Sequence, residues 1–299
     1  MNRRCLFLID VEPDLRCPSP DSSWEGNHLA LQHLKTLRSR LEQRTSRPVR
    51  FNWFFRFDPQ IEHIWGRPDQ VTQACPKLLD QVAEWNDHRG VHCHLWKWDD
   101  KHRRWYNEFS DSAWEEHCLR SSVKSFADVF GFAPTAIRMG ERWMSPTLPP
   151  LMRELGIRYD LSIESGVPSA PVFDDPYATA LLPDFTSYPT DPWNPDGDPR
   201  LTMIPTTASK PHWIRIYRFP YVQRRRVTMN LVLHPQIVAA TLREESLRQT
   251  QTPMVVVLRA ADLAQPWALA NYQRVARELE SLSNCEWVGV DDALPACGQ

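Results

Sequence analysis

Short apolar runs alternate with amphipathic stretches along most of this 299-residue chain. Residues 4–10, Arg4-Cys5-Leu6-Phe7-Leu8-Ile9-Asp10, are a run of the kind expected of a buried strand. Residues 27–43 set Leu29, Leu31, Leu34, Leu37 and Leu41 at helical spacing. The unit then repeats. Residues 48–56 read as a second strand and 69–86 as an amphipathic helix. His88-Arg89-Gly90 turns the chain into a third strand, Val91-His92-Cys93-His94-Leu95. Further strands are predicted at 134–140, 157–163, 212–218, 227–233, 253–258 and 286–290, with helices at 111–130, 146–155, 236–248 and 266–283. Strands alternating with helices predict an α/β fold around a parallel sheet. The proline-rich stretch from about 166 to 211 predicts a long loop of functional importance. No internal repeat or composition break divides the chain, so a single domain over 1–299 is expected.

Polar residues recur at the same place in each unit. Asp10 and Glu12, Arg56 and Asp58, His92 and His94, Arg138, Glu164, His234 and Arg259 all lie at or just beyond the C-terminal end of a predicted strand. In a barrel of parallel strands those ends converge on one face, where catalytic groups gather. Extended backbone alternates its faces, so His92 and His94 point the same way, side by side. Neutral imidazoles with a carboxylate suit Zn²⁺ and similar divalent ions. A second carboxylate as base, an arginine to orient it and a histidine as acid complete the equipment for amide or ester hydrolysis.

Composition narrows the partners. Formal net charge is −2, which leaves no basic footprint for nucleic acid or an anionic membrane. No stretch approaches the ~20 apolar residues of a spanning helix, and the N-terminus reads as a first strand rather than a signal peptide. The cysteines number seven (Cys5, Cys17, Cys75, Cys93, Cys118, Cys285, Cys297) without a CxxC pair, so a reduced, cytoplasmic protein is expected. Proline (26) outnumbers glycine (10), which implies stiff, structured loops, and 13 tryptophans offer core filling or platforms for sugar rings.

Ile9-Asp10-Val11-Glu12, Gly90-Val91-His92-Cys93-His94, Ile137-Arg138-Met139-Gly140, Gly156-Ile157-Arg158-Tyr159-Asp160 and Leu231-Val232-Leu233-His234-Pro235 together resemble the ordered motifs of the polysaccharide deacetylase family (NodB homology, carbohydrate esterase family 4). The resemblance spans roughly residues 5–260. It implies a distorted (β/α) barrel of mainly parallel strands that removes acetyl groups from N-acetylated sugars with a bound divalent metal. By that resemblance Asp10 is similar to the catalytic base, Arg138 to the arginine that orients it, and His234 to the general acid. Glu12 falls near the metal-binding acid, and His92 matches the first histidine of the second motif.

This chain departs from the pattern in two places. The family sets two adjacent aspartates in its first motif, whereas Val11 separates Asp10 from Glu12. Counting four residues from His92, where the family has a second histidine, gives Trp96. Either His94 takes that ligand place or the metal site is incomplete, and Asp10 and Glu12 are interchangeable as base and ligand at this stage.

The expectation is therefore a divalent metal, Zn²⁺ above others, on Glu12, His92 and His94, with Asp10, Arg138 and His234 catalytic. Arg56, Asp58, Trp96 and Glu164 are assigned to a small-molecule or oligosaccharide substrate, with a structural Arg56–Asp58 pair and a packing role for Trp96 as alternatives. Glu141 and Arg142 read as a surface pair, and Cys93 points away from the histidines into packing. The rival functions are a non-catalytic carbohydrate-binding relative and an amidohydrolase of small non-sugar amides.

Overall fold

The structure is a computed structural model that describes residues 2–173, 175–215 and 222–294. In chain order its elements are β1 (Arg3–Val11), α1 (Glu25–Thr45), β2 (Asn52–Arg56), α2 (Pro59–Trp65), α3 (Gln70–Ala74), α4 (Pro76–Glu84), β3 (His88–Cys93), β4 (Trp96–Asp99) and β5 (Arg104–Asn107). There follow α5 (Ser112–Phe130), β6 (Ala136–Met139), α6 (Leu148–Glu154), β7 (Tyr159–Asp160), β8 (Thr202–Met203), β9 (His212–Arg215), β10 (Val222–Arg225), α7 (Pro235–Ser246), β11 (Met254–Arg259), α8 (Pro266–Ser281) and β12 (Cys285–Trp287).

The central sheet runs β11-β1-β2-β3-β6-β7-β8, every pairing parallel, with β12 on the first residues of β1. The sheet curls towards closure. Beyond β8, Ile204 and Thr206 donate to Asp160 and Ile163, and Thr207 donates to Val255 of β11. Residue 230 bridges Val257 in parallel. The architecture is a distorted (β/α) barrel.

Side-chain alternation along these strands separates two cores. Phe7, Ile9 and Val11 face the helices and join Leu34, Leu78 and Leu119 there. Leu6, Leu8, Phe54, Ala136, Val255 and Val257 fill the barrel interior. Asp10 and Glu12 continue the interior series of β1, Arg56 that of β2, Arg138 that of β6 and Arg259 that of β11. The interior is apolar at the bottom and ionised at the top, which places the chemistry at the C-terminal strand ends.

Several boundaries differ from the sequence reading, each for a local reason. The helix expected at 69–86 is two, α3 and α4, because Pro76 cannot continue α3 and instead opens α4. Asp111 caps α5 by accepting from the Ala113 and Trp114 amides at 3.1 Å each, so the helix begins one residue later, at Ser112. The segment after β3 is a separate antiparallel hairpin, with Trp96 opposite Asn107 and Trp98 opposite Trp105. The stretch 166–211 is no continuous loop: β8 lies within it, and Ala170–Leu182 and Trp193–Met203 bridges order the remainder. The expected strand at 212–218 is the first arm of the β9–β10 hairpin, and its residues 216–218 lie outside the described ones, as does Cys297. No described helix is long and apolar enough to cross a membrane.

Candidate metal centre

β1, β3, β6 and β11 deliver their polar ends to one point. In register, Asp10 lies opposite Arg259, Arg56 opposite His92, and His92 opposite Arg138. Glu12, His92 and His94 are buried, and one ligand atom from each lies within 4.8 Å of the others. The two imidazoles meet nearly at right angles, 87°, with their Nε2 atoms 2.9 Å apart. A Glu12 Oε2 oxygen stands 3.4 Å from His94 Nε2.

Each of the three side chains is held from behind. His92 Nδ1 is 2.8 Å from the Arg138 carbonyl oxygen; donation there leaves the Nε2 lone pair free. The His94 amide donates to Asp58 Oδ2 at 3.2 Å, which fixes the backbone just past β3. The His94 ring lies directly on Gly140, where a Cβ would collide with the ring atoms Nδ1, Cγ and Cε1. Glu12 receives Arg259 Nε on its Oε1, while Arg56 Nη1 stands 3.6 Å from Oε2.

Electrostatics prepare the same atoms. Burial raises the Glu12 carboxyl, but the Arg259 guanidinium and the two histidines outweigh it and hold the group well below the usual carboxylate range. Burial and then Arg56 lower His94 against the opposing pull of Glu12, which favours its neutral imidazole. Glu12 Oε2 is buried without a hydrogen-bond partner among the described residues. Four carboxylates (Asp10, Glu12, Asp58, Asp262) face three guanidiniums (Arg56, Arg138, Arg259) across this cluster. A carboxylate oxygen without a partner, two imidazole nitrogens and an excess of negative charge fit a divalent cation.

Beside this trio, Arg138 Nε sits 3.0 and 3.1 Å from the two Asp10 oxygens, while its Nη1 donates to the Leu161 carbonyl at 2.7 Å. Asp10 is thus oriented by an arginine that is itself fixed to the next strand. His234 stands four residues after the Asn230–Val257 bridge. It is exposed and takes a left-handed backbone (φ 48°) at the start of α7.

The residues assigned to substrate contact divide. Arg56, Asp58 and Trp96 have almost no exposed surface, 0%, 0% and 2%, which agrees with the structural alternatives open to them. Asp58 accepts from Arg56 Nε at 2.5 Å and from the Gln60 amide at 3.1 Å, capping α2 while it holds His94. Glu164 is partly exposed, with Arg142 Nη1 3.8 Å away. Glu141 and Arg142 do not pair with each other. Glu141 binds Arg16 Nη1 at 2.6 Å, and Arg142 turns to Glu164 and the Pro168 carbonyl.

Two contributors lay unassigned in the sequence. Arg259 is visible there as a strand-end base, but nothing in the pattern links it to Glu12, 247 positions away. Gly140 stands inside the Arg138 motif, yet its closeness to His94 exists only after folding.

No protein-family model and no curated protein matches the chain. Among solved structures, a PuuE allantoinase is similar at 13% identity over 97% of this chain and 88% of that one, with a TM-score of 0.57. Proteins named as polysaccharide deacetylases from Pseudomonas aeruginosa PAO1 and Mycobacterium smegmatis are similar at 14% identity each, over 97% of this chain and 89% of theirs, with TM-scores of 0.54 and 0.52. The curled parallel sheet, with its ionised side chains gathered at the C-terminal strand ends, is the (β/α) barrel fold of the polysaccharide deacetylases.

Proposed function

We propose that this protein is a metal-dependent hydrolase that removes an acetyl group from an N-acetylated sugar or glycan precursor. The observation that carries the reading is the buried Glu12–His92–His94 cluster, with its ligand atoms within 4.8 Å of one another. Those three residues would hold the ion, with His94 in the place where the family pattern has a histidine at the position of Trp96. A bound divalent ion, Zn²⁺ in this reading, lowers the pKa of water and polarises the amide carbonyl.

The chain's own residues supply the remainder. Asp10, aligned by Arg138, takes the proton from the attacking water. His234 donates a proton to the departing amine nitrogen in this reading. Glu164 faces the substrate from the neighbouring loop. Glu12 is the ligand and Asp10 the base because Glu12 stands against the histidines while Asp10 stands against Arg138.

Fold likeness to an allantoinase supports a second substrate class, cyclic amides. Incubating the metal-loaded protein and its Asp10→Asn variant with N-acetyl sugars and with cyclic amides separates the readings. Acetate release by the wild type, lost in the variant, is the expected result. Ring opening of a cyclic amide without acetate release assigns the second class, and no turnover of either substrate contradicts the enzyme reading.

A further inference from the structure

The chain as a whole is slightly acidic, but its charge is unevenly placed. Between Asp198 and Glu244 there is no acidic residue and there are eight basic ones. The middle of this stretch is the antiparallel hairpin β9–β10, which stands off the central sheet. Trp213 lies opposite Arg224 on the ladder, so the two share one face. Both are exposed, Trp213 at 72%. The alternate residue Ile214 packs on the main core, which turns the Trp213–Arg224 face outward.

The hairpin is joined to the barrel mouth. The Arg226 side chain lies on Gly166, which takes a left-handed backbone (φ 81°) two residues after Glu164. Further in, Arg142 follows Gly140, the seat of His94. Glu141 and Arg142 are both left-handed (φ 52° and 51°), a conformation disfavoured for non-glycine residues. The turn delivers Arg142 Nη1 to a buried position without a hydrogen-bond partner among the described residues, and Glu164 stays 3.8 Å away. Burial lowers the Arg142 pKa against the pull of Glu164 and Glu141, and Arg225 of the hairpin lowers it further.

An indole face receives the apolar C–H face of a sugar ring, and guanidiniums pair with carboxylate or phosphate. We propose that this rim binds a polyanionic glycan, an N-acetylated sugar polymer bearing carboxylate or phosphate groups, with a ring on Trp213 and anionic groups at Arg224 and Arg142. The inference rests on the deacetylase reading of the mouth and narrows its substrate class. A lipid bilayer fits less well, because Trp213 is flanked by His212 and faces Arg224 rather than an extended apolar surface.

The test is binding, which does not depend on turnover. Hyaluronan oligosaccharides, alternating N-acetylglucosamine and glucuronate, are compared with neutral chitooligosaccharides of equal length on the full chain by calorimetry. The probe proteins are the wild type, Trp213→Ala, Arg224→Glu and Arg142→Gln. Hyaluronan is expected to bind at least about tenfold more tightly at low salt, with the advantage shrinking as salt is added. Arg224→Glu and Arg142→Gln each reduce that advantage, and Trp213→Ala weakens both ligands. Unchanged melting temperatures for the exposed Trp213 and Arg224 variants show that the fold is preserved. Equal binding of the two sugars, an advantage untouched by Arg224→Glu, or tighter binding to duplex DNA or to phosphatidylglycerol vesicles overturns the proposal. Hyaluronan binding without any deacetylation upholds the rim and removes the deacetylase reading alone.

Discussion

The ring of His94 rests on the α-carbon of Gly140, so closely that residue 140 has no room for a side chain. Gly140 has no positive φ, so its backbone admits alanine and only the collision with His94 forbids it. Gly140→Ala is therefore expected to rotate His94 away from His92. Divalent-metal affinity should fall by roughly 10–100-fold, with an overpacking cost of about 1–3 kcal/mol. Metal titration and urea unfolding of the variant check both; unaltered affinity would show that His94 is no ligand.

Arg259 holds Glu12 ionised, and its removal has a definite sign. The folded pKa of Glu12 lies below its ordinary value, so its contribution to stability is present above that ordinary value and lost as pH falls through the folded one. Without the guanidinium the Glu12 pKa rises, and protons compete with metal at higher pH. Arg259→Leu should release metal at a higher pH than the wild type, measured by dialysis across a pH series followed by metal analysis.

Arg138 touches Asp10 but not the three ligands through its side chain. Its backbone carbonyl, which orients His92, is retained in any substitution. Arg138→Gln is expected to lower kcat by about 10²–10⁴-fold while metal content stays at the wild-type level. Loss of metal together with activity would place Arg138 in the metal site instead.

Asp160 is fully buried, and burial pushes its carboxyl up to about 6 despite hydrogen bonds from the Ser162 amide and hydroxyl. Its folded pKa exceeds the unfolded value, 3.8, so the folded state keeps a proton that the unfolded state releases between those limits. Stability from this residue therefore falls as pH rises from about 4 to about 6 and is constant above that, a difference on the order of 2–3 kcal/mol. Asp160→Asn should flatten that part of the stability profile relative to wild type in urea titrations at pH 4, 5, 6 and 7. An unchanged slope would show that the carboxyl ionises freely.

Much of this arrangement is legible in the sequence because parallel βα units send strand ends to one face. Asp10, Glu12, His92, His94, Arg138 and Arg259 are visible as strand-end residues, and the inward parity of His92 and His94 follows from alternation alone. What the pattern hides are contacts across the barrel. Arg56 reaches Glu12 across the barrel as well as its near neighbour Asp58, the pairing that the sequence offers as an alternative. Trp96 continues the alternation of His92 and His94, but β3 ends at Cys93, and Trp96 begins a separate hairpin. β8 is two residues long among prolines, so no periodicity announces it. The Gly140–His94 contact joins two strand ends and leaves no mark on either local sequence.

Metal content tests the central claim most directly. Protein purified without chelator, supplied with Zn²⁺ and dialysed, is analysed by inductively coupled plasma mass spectrometry alongside the Glu12→Gln, His92→Ala and His94→Ala variants. One divalent ion per chain in the wild type and a large loss in each variant is the expected result. No ion in the wild type, or an ion retained in all three variants, would contradict the assignment of Glu12, His92 and His94 as the metal centre.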